Sequence, residues 1–215
     1  MLIDFSFKNV RSFKNKATLS METGDHIEEY AKENTVDIGE ITLVKSAFVF
    51  GGNASGKTNV IKAFQLLRSI VISGTPSDFE LLPTDTYANE GGNVFFKVRF
   101  YKNQKIYVYT IEYNFASIIN ECLSVNNEVV FERNIGNVIM PTTIKSLANA
   151  LRHNQPLLYF AQNNNVKEAK EAYEWFRLDI ITPGLLSNTL HSQQLFRPLY
   201  KNTQLKKNVL YFLKA

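Results

Sequence analysis

Apolar and polar positions alternate loosely at the start of the chain, with Leu2, Phe5 and Phe7 interspersed with Asp4 and Ser6. Successive side chains of a strand point to opposite faces, so this pattern predicts a strand over residues 1–7. A second strand is expected at Ala17–Met21, and the polar stretch 22–40 reads as a loop. From Ile41 to Phe50 β-branched and aromatic residues dominate, which predicts a buried strand. It runs directly into a glycine-rich turn.

Beyond that turn the period changes. Val60, Phe64, Leu67 and Val71 recur at i, i+4, i+7 and i+11, one face of a helix, and Gly74 and Pro76 end it. Residues 75–93, rich in Pro, Asp, Asn and Gly, read as an irregular connection. Strands are then expected at Val94–Tyr101, Lys105–Phe115, Ser117–Val125 and Glu128–Arg133. The breaks at Lys102-Asn103-Gln104 and Asn126-Asn127 suit tight hairpins, which makes this part an antiparallel meander. Helices are expected at Thr143–His153, Val166–Arg177 and Asn202–Leu213, with a short strand at Leu157–Phe160. The fold class is therefore α/β, with a core and meander over 1–139 and the start of a helical lobe over 140–215.

The turn itself carries the chemistry. Gly51-Gly52-Asn53-Ala54-Ser55-Gly56-Lys57-Thr58 matches G-x-x-x-x-G-K-[ST] at every fixed position. Chance would produce that match in roughly 1% or fewer of chains of this length, and here a strand-like run precedes it and a helix follows. Gly51 and Gly56 allow backbone angles that a Cβ would obstruct, so consecutive N–H groups can face phosphate oxygens. The helix behind them adds its positive N-terminal end. Lys57 is placed to reach the β- and γ-phosphates, and Thr58 offers a hydroxyl to Mg²⁺. The expected cofactors are ATP and Mg²⁺, bound by a P-loop that also includes Asn59.

This P-loop, with Phe50 before it and Asn59-Val60-Ile61-Lys62-Ala63-Phe64 after it, resembles that of ABC-type AAA ATPases, a group that includes RecF-like and SMC-like proteins. It is especially similar to bacterial phage-defence and abortive-infection ATPases. Asn9-Val10-Arg11-Ser12-Phe13 in the opening segment carries a second part of the likeness. Softer matches are Val130-Phe131-Glu132-Arg133 and Tyr173-Glu174-Trp175-Phe176. The resemblance implies a P-loop NTPase fold: an ABC-ATPase-like N-terminal lobe with an antiparallel β-subdomain and a following helical region. It implies that Arg11 lies near the phosphates and allows Phe13 a place near the nucleotide, although core packing is the expected role for Phe13. It nominates Gln162 as the glutamine that touches Mg²⁺ and the attacking water. It further implies a homodimer driven by ATP, gating an effector such as a nuclease or toxin, with DNA or RNA as a further partner.

Hydrolysis of this type needs an apolar strand ending in Asp-Glu and a Ser-Gly signature. Tyr107–Glu112 is interrupted by Thr110, Phe176-Arg177-Leu178-Asp179 continues a helix, and Leu186-Ser187 is followed by Asn188. The expectation is the N-terminal part of a longer ATPase that binds nucleotide weakly and turns it over slowly or not at all. The rival readings are a complete, non-catalytic nucleotide-sensing subunit, a P-loop kinase and a transporter subunit. The meander disfavours the kinase, and the Asn9–Phe13 segment disfavours the transporter.

Composition narrows the setting without changing the picture. Of 215 residues, 24 are basic and 20 acidic, for a net charge of +4. That excess is too small to establish nucleic-acid binding. Lys201, Lys206, Lys207 and Lys214 make the C-terminal segment basic, which reads first as a solvated helix face. His26, His153 and His191 are widely spaced and Cys122 is the single cysteine, so no zinc pattern exists and a structural role is expected for the thiol. No apolar run reaches the ~20 residues of a membrane span. A reducing cytoplasm is the expected compartment.

Overall fold

The computed structural model describes residues 1–24 and 31–181, with Thr203 and Lys207 beyond them. Met1–Arg177 forms one compact unit and Leu178–Ala215 a second. The elements that carry the site lie in the first. The expected helix at 202–213 apart from Thr203 and Lys207, the Leu186-Ser187-Asn188 stretch, His26, His191, Lys201, Lys206 and Lys214 fall outside the described residues.

Strands β1 (Leu2–Lys8), β2 (Ala17–Ser20), β5 (Val94–Lys102), β6 (Lys105–Tyr113), β7 (Ile118–Val125), β8 (Glu128–Asn134) and β9 (Asn137–Ile139) form one antiparallel sheet in the order β2-β1-β5-β6-β7-β8-β9. The four meander strands stand where alternation put them, and β9 extends them by a short hairpin through Gly136. Period-2 alternation sends Phe5, Phe7, Val94, Phe96, Val98, Phe100, Tyr107, Tyr109, Ile111 and Tyr113 to one face, where all are buried. The opposite face carries Asp4, Lys97 and Arg99, with Arg99 paired to Asp4 and Glu22.

Helix α2 (Lys57–Ser73) lies against the aromatic face. The Phe64 ring meets Phe5 edge-on at 4.7 Å and Trp175 at 6.2 Å. Helices α3 (Leu157–Asn163) and α4 (Lys167–Glu174) cover the rest, and α4 continues into a π-turn at Trp175–Asp179. Phe100 stacks on Trp175 with ring centroids 3.9 Å apart. Arg68 on α2 donates from Nε to the Phe176 carbonyl at 2.8 Å and from Nη2 to that of Arg177 at 3.1 Å, which ties α2 to the end of α4.

A polar knot fastens α3 to the sheet. The buried Glu121 carboxylate of β7 accepts from the backbone N–H groups of Leu157 and Leu158 and from the Tyr109 hydroxyl, at 2.7, 2.8 and 2.9 Å. Arg133 of β8 donates to the carbonyls of Arg152, His153 and Gln155. Burial raises the Glu121 carboxyl above its ordinary value, and it pulls the Arg133 guanidinium down.

Four expectations need correction. Residues 22–40 are more than a loop: a one-turn helix α1 (Ala31–Asn34) precedes the hairpin of β3 (Thr35–Ile38) and β4 (Ile41–Val44). Its Leu43 and Ile38 pack on Ile3, giving a small satellite core. Leu157–Phe160 is helical because its apolar run is short enough to suit either state and Glu121 caps the first turn. Thr143–His153 forms only a 3₁₀ stretch at Lys145–Ala150. The fourth concerns the run Ile41–Phe50, whose strand ends at Val44. Phe48 and Phe50 are 80% and 87% exposed and stack on each other at 6.2 Å. Among the described residues no strand pairs with 46–50, so its composition has no ladder to satisfy.

Candidate functional site

The glycine-rich loop follows this exposed run and ends at α2. Gly56 is the N-cap of α2, with φ 91° and ψ 3° in the left-handed region, and no side chain caps the helix. The usual N-cap side chain would satisfy one of the free N–H groups of the first turn. Its absence leaves the N–H groups of Lys57 and Thr58 available to an anion, at the positive end of a 17-residue helix. A Cβ on Gly56 would lie 2.8 Å from Ser12 Oγ, and one on Gly51 would lie 2.7 Å from Ser55 Oγ. The contacted atoms are side-chain hydroxyls that can turn aside, so it is the backbone angle, φ 91° at Gly56 and φ 156° at Gly51, that restricts both positions.

The resulting depression is shallow and open, about 170 Å³, and is lined by Ala54, Ser55, Gly56, Lys57, Thr58 and Asn59. Ala54 itself holds φ 62°, which bends the chain around it. Lys57 folds back over the loop, where its ammonium donates to the carbonyls of Gly51 and Gly52 at 2.7 and 2.6 Å. Nothing in this lining is acidic. The donor set fits a polyphosphate: free backbone N–H groups, one ammonium, and the Thr58 hydroxyl as the ligand that this loop offers to Mg²⁺.

The turn between β1 and β2 seats itself on this helix start. Phe13 is half-buried: it packs edge-on against Phe7 at 4.9 Å and lies beside Gly56, so it sits between the core and the loop. Ser12 Oγ accepts from the Asn59 side chain at 2.9 Å. Arg11, with φ 52°, donates from Nε to Asn59 Oδ1 at 2.9 Å and from Nη1 to Asp85. The structure thus brings Arg11 to the rim of the phosphate loop through Asn59.

Gln162 is not brought there. It stands in the last turn of α3 and donates to Asn163 at 2.6 Å. One turn earlier Tyr159 packs on Gly74, where a Cβ would meet the ring at 2.6 Å. Gly74 closes the end of α2 opposite the loop, and a helix of this length spans about 25 Å. Gln162 therefore lies on the order of 20 Å from the phosphate loop.

Sequence reasoning passed over Ser12 and Asp85. Asp85 sits in the irregular connection, which no periodicity marks, and its pairing with Arg11, through the backbone bond from Arg11 N to Asp85 O at 2.7 Å and the side-chain ion pair, shows why it is there. Asn9 pins the same connection, donating to Gly91 and Asn93 carbonyls and accepting from Tyr87 N–H. Cys122 is half-buried on β7, and burial together with Glu132 and Glu121 raises its thiol, the opposite of an activated nucleophile. Among the described residues no group of three or more His, Cys, Asp or Glu could hold a metal by itself, and no helix is long and apolar enough to cross a membrane.

Residues 46–138, less than half of the chain, match the model of a family described as "AAA domain, putative AbiEii toxin, Type IV TA system". The match begins at the exposed run, takes in the loop, α2, Asp85 and the meander, and leaves out the turn that carries Arg11. It supports an AAA-type, nucleotide-binding P-loop ATPase, and the mixed α/β architecture is compatible with that fold. No curated protein matches the chain.

Proposed function

We propose that this chain is the ATP-binding part of an ABC-type AAA ATPase, in which Gly51–Asn59 hold ATP with Mg²⁺ and nucleotide drives two P-loop domains together. The observation that carries this reading is the uncapped, left-handed start of α2, which presents Lys57, Thr58 and free N–H groups at one point. Arg11 adds a guanidinium at the rim. The exposed run 46–50 supports a larger core: it has the composition of a buried strand and no strand partner among the described residues. In such a machine ATP closes the dimer and hydrolysis reopens it, gating an attached nuclease, toxin or nucleic-acid clamp. The family description names a toxin of a toxin–antitoxin system, which supports a setting in phage defence, with DNA maintenance as the related alternative.

A second reading is favoured by the lining of the depression, which contains no carboxylate to polarise water. On that reading the chain senses nucleotide without hydrolysing it. Equilibrium binding of ATP with Mg²⁺ to the chain and to Lys57→Ala, with released phosphate measured in the same samples, tests both. Loss of one charge-assisted contact predicts affinity weaker by about 10- to 100-fold in Lys57→Ala. Binding without turnover fits either an ATPase part or a sensor. Turnover at an enzymatic rate that Lys57→Ala abolishes removes the sensor. ATP affinity equal in both proteins would remove the phosphate site itself.

A further inference from the structure

Arg11 has its guanidinium held on two sides. Nε donates to Asn59 Oδ1 at 2.9 Å, and Nη1 pairs with the Asp85 carboxylate. Among the described residues nothing accepts from Nη2, and the side chain remains 31% exposed. Asn59 is itself fixed by Ser12 and lines the phosphate depression. A guanidinium that is free to rotate loses rotamer entropy when it meets an anion, whereas one clamped in place has lost it already.

We infer that Asp85 is a positioning residue for nucleotide binding, holding Arg11 so that its remaining N–H donors face a phosphate bound on the loop. This rests on the reading of Gly51–Thr58 as a phosphate site. Asp85 arrives from the connection between α2 and β5, and Arg11 from the turn between β1 and β2. The pair therefore fastens two separate segments at the rim of the loop.

The sign of the effect separates this role from simple charge. Asp85 is an anion near a site for anions, so deleting its charge would on Coulomb grounds tighten binding. Unit charges ~8 Å apart in water interact by about 0.5 kcal/mol, or about twofold in affinity. Positioning predicts the opposite. Asp85→Asn should weaken ATP binding about 3- to 10-fold, part of the worth of a charge-assisted contact whose donor is no longer held. The backbone bond from Arg11 N to Asp85 O does not involve the side chain, so it can keep the segment in place in that variant.

The experiment measures ATP–Mg²⁺ dissociation constants for the full chain, Lys57→Ala, Asp85→Asn, Asp85→Glu, Arg11→Ala, Arg11→Lys and the Arg11→Ala/Asp85→Asn pair, with the thermal midpoint of each. The expected result is weaker binding in Asp85→Asn and most of the affinity regained in Asp85→Glu. In the Arg11→Ala background, Asp85→Asn should add less than about 1.5-fold, because coupled residues do not add. Arg11→Lys tests the same point without touching Asp85: an ammonium cannot span Asn59 and Asp85, so it too should bind more weakly. Unchanged or tighter binding in Asp85→Asn, with Lys57→Ala still defective, overturns the role of Asp85 and leaves the phosphate site standing. Equal losses from Asp85→Asn in both Arg11 backgrounds also overturn it. Wild-type protein without Lys57-dependent binding overturns the phosphate site and this inference together.

Discussion

Two phenylalanine-bearing strips of this molecule share a composition and have opposite fates. In β5, Phe96 and Phe100 are fully buried, and Phe100 sits between Trp175 and Tyr107. In the run before the phosphate loop, Phe48 and Phe50 stand in solvent and touch each other. The residue types do not distinguish them. Strand partners do: β5 lies between β1 and β6, whereas 46–50 has no strand partner among the described residues. The contrast teaches that the meander is held by β1 on its edge and by the helices on its aromatic face, and that the glycine-rich loop hangs between a run without a strand partner on one side and the anchored start of α2 on the other.

The largest expected effect breaks the scaffold side of the contrast. Phe100→Ala should destabilise the unit by about 3–5 kcal/mol, the usual cost of an emptied aromatic site. Urea unfolding would show it as a lower midpoint with an unchanged slope. A loss below about 1 kcal/mol would mean that Trp175 and Tyr107 close over the gap.

Gly56→Ala tests the junction between the two regions. The left-handed angle alone costs a residue with a Cβ about 1–2 kcal/mol, and here the Cβ also presses on Ser12 Oγ. Thermal unfolding and ATP binding should both suffer. Preserved affinity with lowered stability would show that the loop reshapes without losing its N–H groups.

The pH dependence sharpens the scaffold side through Glu121. Burial is the largest cause acting on this carboxyl and raises it above the ordinary 4.5, although Leu157, Leu158, Arg133 and Tyr109 pull it down. A carboxyl that holds its proton more tightly when folded contributes its stability at low pH. That contribution fades as pH rises from the unfolded value through the folded one. The unfolding free energy of wild type relative to Glu121→Gln should therefore fall as pH rises above the ordinary 4.5. A difference that grows over this range would show that the four donors outweigh burial.

The smallest effect belongs to the exposed run. Phe50→Ser should leave stability within about 0.5 kcal/mol, the ordinary range for exposed positions. A loss comparable to that of Phe100→Ala would place Phe50 inside a core and erase the comparison.

Much of this was legible in the chain because it is local. The octapeptide Gly51–Thr58 specifies its own backbone through Gly56, and the period-2 runs of β5 to β8 specify a buried face, since each depends on near neighbours. Short segments were less legible. Leu157–Phe160 reads equally as strand or helix until Glu121, 36 residues away, accepts from its first N–H groups. Strand β3 was hidden in the polar stretch because only Val36 and Ile38 mark it, and they pack on Ile3 and its surroundings.

The sequence by itself thus determined a glycine-rich turn followed by an amphipathic helix and an antiparallel meander, because hydrophobic period and glycine geometry are properties of adjacent residues. Only the tertiary structure decided that Arg11 reaches the loop while Gln162 lies at the far end of α2, and that Asp85, 74 residues from Arg11, is the carboxylate that holds it. Those placements follow from how strands pair and where a helix ends, and chain spacing carries neither.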